Sequence, residues 1–387
     1  MASMELTVDR QEFLRALSTL EFSSYNTASQ SIRLEVLNPT KGVLYSCSGR
    51  FATRAYFSIK STDGEIPEEN AVIILGTGVE NFVSTLPSEE LKIQYLEKNL
   101  RIRGMWLDSG KENFTDQKYP FLTVKVPAIE KLLKDTQDLG EIHADVLVEG
   151  VKYIKSFSNK EIFSPRVLVS GDKLIYMDEI KIGVFESSQG FPALSFGMDD
   201  MAPILSFLTQ YKGQKIKALQ FGNGYALESE NGSVLVYAFN VKAQKELEEE
   251  LSLEDEPPIT FNIENKKFSN ILQLLKTKGS QLFDEMDITI HPEGFLEMVR
   301  PPNFQSRLSV SPQDMPEEAL TVKVQFSNLI SVLRAFPKDT ILMGINPEDK
   351  KFKIIGSLDI SLGEPEEGEE EEKVSCRVMN ILSYWNE

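Results

Sequence analysis

Hydrophobic positions along this chain change their spacing six times, each time from every second residue to every third or fourth. The stretches are ELTVDRQEFLRALSTL (5–20), VIILGTGVENFVSTL (72–86), ADVLVEGVKYIKSFS (144–158), LSFGMDDMAPILSFL (194–208), ITFNIENKKFSNILQLL (259–275) and LTVKVQFSNLISVLRAF (320–336). A period of two lines one face of a strand, and spacings of three and four line one face of a helix. Each stretch therefore predicts a strand running into a helix with one buried stripe. After every helix the sequence returns to strand composition, as in IRLEVL, VLYSCS and RAYFSI, or IKALQFG, YALESE and SVLVYAFNV. Between these runs stand SGD, GNG, ENG and NPEDK, residues that hairpins use for tight turns. The pattern predicts an α+β chain of six modules, each one helix laid against antiparallel strands.

Six modules taken in pairs predict three domains, in keeping with about 150 residues per domain for a chain of 387. Two stretches depart from the modular pattern: 119–142, with YPFL and a short helical patch VPAIEKLLKD, and 242–258, an acidic run ending in Pro257 and Pro258. They place domain boundaries near 140 and 250, giving 1–140, 141–250 and 251–387. Composition adds only exclusions. No apolar run approaches the roughly 18 residues of a membrane span, and the opening MASMELTVDR has no apolar signal core, so a cytoplasmic protein with no membrane partner is expected. Cys47 and Cys376 are the only cysteines and stand far apart, which suggests neither a disulfide framework nor a zinc site.

The net charge of −18 argues at first against a nucleic-acid partner. Its distribution reverses that reading, because 246–256 and 364–372 carry seven acids each and the remainder is nearly balanced. The Glu-rich run 364–372 predicts a solvated hairpin tip or a disordered loop. Positive charge recurs on or just after the predicted helices: Arg10 and Arg15; Lys152, Lys155 and Lys160; Lys212, Lys215 and Lys217; Lys266, Lys267, Lys276 and Lys278; Arg334 and Lys338. The second module is poor in it. Taken singly such residues read as a solvated helix face; recurring in equivalent places they read as a phosphate-binding surface without sequence preference.

Catalytic and metal signatures are largely missing. His143 and His291 have no partner at ligand or catalytic spacing and read as structural. The GTG at 76–78 follows a strand and opens a helix, but Asn81 stands where a dinucleotide site needs its third glycine; a tight helix start capped by Thr77 is the simpler reading. No GxxxxGK[ST] and no GxSxG occur, and the sequons at Asn113 and Asn231 carry little meaning without a secretory signal.

These features together resemble the DNA polymerase sliding clamps, in particular the bacterial three-domain β clamp. VDRQEFLRALSTL, with Phe13, Leu14 and Arg15, is similar to that family's opening strand and helix. GVENFVSTLPSEELKIQYLEKNLRIR is similar to the second half of a clamp's first domain, and YPFL (119–122) to its exit. The resemblance implies the DNA-clamp fold: three similar domains, each of two β-α-β-β-β units, with helices lining a ring and antiparallel sheets outside. It also implies a head-to-tail homodimer that encircles double-stranded DNA, a DNA polymerase and a clamp loader as partners, no catalysis and no cofactor. The DNA-facing set would be Arg10, Arg15, Lys152, Lys155, Lys212, Lys266, Lys276 and Arg334. Clamps bind partners in an apolar pocket beside the C-terminal strand. Here MDEIKIGVF (177–185) would supply Ile180 and Ile182, and the C-terminal run Val378 and Met379, although all four also fit an ordinary strand core. This chain departs from the family in carrying LSYWNE beyond that point and in its Glu-rich insertion. Two other classes stay open at this stage: a non-enzymatic β-rich repeat scaffold with no nucleic-acid role, and an enzyme with an unfamiliar site.

Overall fold

Every one of the six spacing changes becomes a strand followed by a helix. The computed structural model describes residues 4–22, 27–130, 132–157, 166–177, 181–222, 224–238, 257–278, 284–301, 304–336, 339–348, 350–363 and 372–383. The acidic run 246–256, residues 364–371 of the Glu-rich run and the boundary expected near 250 lie outside the described residues.

Each module has a leading strand, a helix and three further strands. Module one is β1 (Met4–Asp9), α1 (Arg10–Ser18), β2 (Ser31–Asn38), β3 (Lys41–Ser48) and β4 (Phe51–Asp63). Module two is β5 (Val72–Leu75), α2 (Gly76–Thr85), β6 (Glu90–Tyr95), β7 (Asn99–Asp108) and β8 (Lys111–Pro120). Module three is β9 (Gln137–His143), α3 (Ala144–Phe157), β10 (Arg166–Ser170), β11 (Lys173–Met177) and β12 (Lys181–Ser187). Module four is β13 (Ser195–Gly197), α4 (Met201–Thr209), β14 (Lys215–Phe221), β15 (Gly224–Ser229) and β16 (Val234–Ala238). Module five is β17 (Ile259–Glu264), α5 (Asn265–Lys278), β18 (Glu285–His291), β19 (Phe295–Arg300) and β20 (Phe304–Ser309), followed by the short β21 (Ser311–Asp314). Module six is β22 (Leu320–Gln325), α6 (Phe326–Ala335), β23 (Thr340–Asn346), β24 (Lys351–Ser361) and β25 (Lys373–Ser383).

Local chemistry fixes the helix ends. The Asp9 carboxylate accepts a hydrogen bond from the Glu12 N–H at 3.0 Å and caps α1, and that bond holds the Asp9 carboxyl below its usual range. Helix α2 starts without a side-chain cap: Leu75 is the N-cap, and Thr77 lies inside the helix instead of capping it. Gly76 is required by packing, since a Cβ there would stand 2.5 Å from the Phe22 ring and 2.6 Å from Ile32. The helical patch expected at VPAIEKLLKD is instead a series of bends and turns. Val126 precedes Pro127, which disfavours helical backbone, and its apolar positions serve the sheet beneath.

The modules are joined by two kinds of strand pairing, all antiparallel. Within successive pairs the leading strands are exchanged: β1 pairs with β6 and β5 with β2, β9 with β14 and β13 with β10, β17 with β23 and β22 with β18. Between pairs, closing strands meet: β4 with β16, and β12 with β25. The chain divides into two compact units, 1–144 with 202–240 and 145–201 with 241–387. In the first unit Phe13, Ala16 and Leu17 of α1 and Val79 and Val83 of α2 pack on one face of the sheet, with Phe13 edge-on to Phe57 at 5.0 Å. In the second, Tyr153 of α3 lies between Phe185 and Phe336. Among the described residues no helix is long and apolar enough to cross a membrane.

Candidate functional site

The solvent-facing strips of the helices carry the predicted cations unevenly. On α1, Gln11, Arg15 and Ser18 form a strip away from buried Phe13, Ala16 and Leu17, and Arg15 is half-exposed. Arg10, at the first position of α1, is half-buried with its Nε shielded from solvent and unpartnered, so it presents less charge outward than its spacing suggests. Helix α3 is buried nearly all round; its exposed strip holds Lys152, Lys155 and Ser156. Lys152 is partly neutralised by Glu149 one turn earlier, 2.6 Å away. Helix α5 has four lysines and no carboxylate. Lys266 stands opposite buried Phe268 and Leu272, Lys276 is exposed on the flank, and Lys267 pairs with Glu264 at 2.6 Å. On α6, Arg334 shares a strip with Ser327 and Ser331 and is exposed.

Helices α2 and α4 contribute no cation at all; α2 carries Glu80 and α4 is uncharged. Lys212 is exposed in the turn after α4, while Lys217 is drawn to Asp138 at 2.8 Å, which raises the lysine pKa and lowers that of the aspartate. Lys160 and Lys338 lie outside the described residues. Among the described residues, outward cations thus come from α1, α3, α5 and α6, each on the strip opposite its helix's buried face.

The expected partner residues sit where β12 meets β25. Ile182 faces Ile381 and Val184 faces Met379 across that pair. Val184, Met379 and Ile381 form with Ile175 a buried apolar cluster, bordered by half-buried Met177, Ile182 and Ile355. Met379 belongs to it, but Val378 does not. Successive residues of a strand point to opposite faces, and Val378 pairs with Phe185 on the side packed by α3. Ile180 lies outside the described residues. Sequence reading missed Ile175, Val184 and Ile381, although the period of two running out from Ile182 and Met379 marks them. It missed Tyr153 as well. That hydroxyl donates to the Met379 carbonyl at 2.9 Å and accepts from the Asn380 amide at 3.0 Å, fixing the last strand to α3, and burial pushes its pKa far above the usual phenol range.

The histidines hold no metal geometry: His291 stacks on Phe295 at 4.1 Å, and among the described residues no group of three His, Cys, Asp or Glu is placed to hold an ion.

Solved structures match this architecture end to end. The DNA polymerase III beta subunit of Thermotoga maritima superposes with a TM-score of 0.75 over 99% of this chain and 100% of its own, at 13% identity. The chain has the β-clamp fold. The Helicobacter pylori beta clamp in complex with carprofen gives a TM-score of 0.73 at 15% identity, and the Pseudomonas aeruginosa DNA polymerase sliding clamp 0.72 at 9%, each over 99% of this chain and 100% of its own. No family model and no curated protein matches the sequence. At such identities the likeness is one of fold. A β-rich scaffold unrelated to clamps is not favoured by full-length agreement with clamp structures alone.

Proposed function

We propose that this protein is a processivity clamp that encircles double-stranded DNA and tethers a DNA polymerase. One observation carries the reading furthest. Closing strands join module one to module four and module three to module six, always an odd module to the module three places on. Module five then requires an eighth module, which is module two of another copy. Its partner strands would be β20 and β8, and both lie at sheet edges. The hairpin bearing β8 also exposes Leu107 and Phe114, and α5 of module five exposes Leu274. A contact between two different patches is heterologous, so it closes into a ring if the rotation allows.

Two copies give twelve modules, a head-to-tail homodimer with helices inward. The exchange of leading strands supports modules one and two, three and four, and five and six as three domains, with the first boundary just before β9 at Gln137 and not at the expected 140, which would cut that strand. Arg15, Lys152, Lys155, Lys212, Lys266, Lys276 and Arg334 would meet phosphates, with Arg10 contributing least. Contacts of this kind are weak and blind to sequence, which sliding requires. The cluster holding Ile182, Met379 and Ile381 would take an apolar segment of the polymerase or of the clamp loader. The protein acts without catalysis or cofactor, in the cytoplasm.

The test is topological. Loaded protein should stay on closed circular duplex through a high-salt wash and leave once the circle is cut. Equal retention on circular and linear DNA would reject encirclement.

A further inference from the structure

The β4–β16 pairing is the same join as β12–β25, made once in each unit. Ala52 faces Val236 and Arg54 faces Val234 across the first, as Val184 faces Met379 and Ile182 faces Ile381 across the second. Each join carries an apolar cluster on the face turned from the helices. At the first, that cluster includes Tyr45, Ala52, Ala226 and Val236. Thr53, on the opposite face, accepts a hydrogen bond from the Glu21 N–H at 3.2 Å, which marks the helix side.

The two clusters differ in what is seen to cover them. Among the described residues the apolar members of the β12–β25 cluster are all on strands; Ile175, Val184, Met379 and Ile381 are buried, and half-buried Met177, Ile182 and Ile355 form its more open border. The β4–β16 cluster is covered by the chain itself. Residues 123–130 and 132–136 cross it as an irregular strap, with Val126 exposed by 3% and Ile129 by 1%. Before the strap, Phe121 and Leu122 donate to the Lys98 and Ile73 carbonyls at 3.0 and 2.8 Å. Within it, the described backbone hydrogen bond runs from Leu132 to Ile129 at 2.9 Å, strap to strap. Side chains hold it down. The Glu130 carboxylate accepts from the Tyr45 hydroxyl at 2.5 Å and lies 3.7 Å from the Arg54 guanidinium.

We propose that the β4–β16 face is a second peptide-docking groove, held shut by strap 123–136 with Glu130 as its latch. It accepts a partner segment that repeats the strap's own chemistry: two aliphatic side chains three residues apart, the second followed directly by a carboxylate. The proposal takes its occupant from the strap seated on the groove. It deepens the reading of the β12–β25 cluster as a partner pocket, on which it rests for the equivalence of the two joins. Lifting the strap breaks no sheet ladder, because no described backbone bond ties it to the strands below, whereas removing any strand of the cluster would.

Cys47 is a built-in reporter, since its half-buried side chain packs against the covered cluster; Cys376 is buried in the other unit and serves as control. Glu130→Ala, which removes the acceptor and the charge, and, from the opposite side of the latch, Tyr45→Phe should each speed labelling of Cys47 by a thiol reagent about tenfold, the usual effect of losing a charged hydrogen bond, with Cys376 unchanged. In the double variant Ile129→Ser with Glu130→Ala, a synthetic peptide of residues 123–136 should restore slow labelling of Cys47. It should do so equally when Met379→Asp is added. Unchanged Cys47 labelling in both latch variants, parallel acceleration of Cys376, or a peptide that gives no protection would each overturn the proposal. Protection abolished by Met379→Asp would overturn it too, by assigning the peptide to the other cluster. Peptide binding by the wild type, lost on Met379→Asp, reports the β12–β25 pocket separately.

Discussion

Glu21 shows how one side chain ties this fold to pH. It follows α1, half-buried, with the Glu80 carboxylate of α2 close enough to repel it; burial first and that charge second push its pKa up to about 7. Glu80 itself is engaged, accepting from the Ser18 hydroxyl at 2.8 Å. The folded chain therefore holds a proton that the unfolded chain, with an ordinary value of 4.5, releases. The stability this carboxyl contributes is complete below its unfolded value and disappears as pH rises through its folded one. Discounted for its partial exposure, the loss is on the order of 1 kcal/mol. Thermal melts should show the wild type losing stability between about pH 5 and about pH 8, and Glu21→Gln should flatten that part of the profile. An unchanged profile in the variant would show that another group sets the slope. Nothing in the local sequence marks Glu21, because its neighbour Glu80 is brought to it only by the packing of α1 against α2.

At the scale of elements, the helices were the legible part and their charge only partly so. Phe13, Ala16 and Leu17, or Phe268, Leu272 and Leu275, declare a buried face by spacing alone, and the structure buries them. The same spacing misled at Val126, Ile129 and Leu133, where a strap pressed on a sheet also buries every third or fourth residue. Cation positions follow from helix phase, yet Arg10 is half-buried and Lys152 is matched by Glu149, which recurrence in sequence does not reveal. The strips of α1, α3 and α5 are where the phosphate reading is exposed to test. Replacing Arg15, Lys152, Lys155 and Lys266 by Glu should lower the dependence of DNA retention on salt, reducing the slope of log affinity against log salt by roughly 3, and should leave melting nearly unchanged because all four side chains are outward. Retention and slope equal to the wild type would remove these strips from the DNA surface.

For the whole molecule, the decisive features are pairings between strands far apart in sequence. A strand's own residues show that it has two faces but not which strand lies beside it, so the exchange of leading strands and the joins β4–β16 and β12–β25 could not be read from spacing. The sequence resemblance supplied the architecture at that point, and the strand order accounts for it in physical terms. In the proposed ring the edges β8 and β20 of two copies meet, although β9, β13, β21 and β22 also end their sheets. Light scattering should give the mass of a dimer, and Phe114→Asp, placing a charge on the exposed edge, should halve it without unfolding the chain. A monomeric wild type over a wide concentration range would contradict closure. The β4–β16 join also imposes an order on birth at the ribosome. Phe51–Asp63 emerges long before Val234–Ala238, and at translation speeds of about 5–20 residues per second its open side waits on the order of ten seconds for its neighbour. During that interval the nascent chain offers a bare hydrogen-bonding edge to whatever else is nearby, and the separation of the two strands in sequence is too long for the ribosome to shelter one until the other is made.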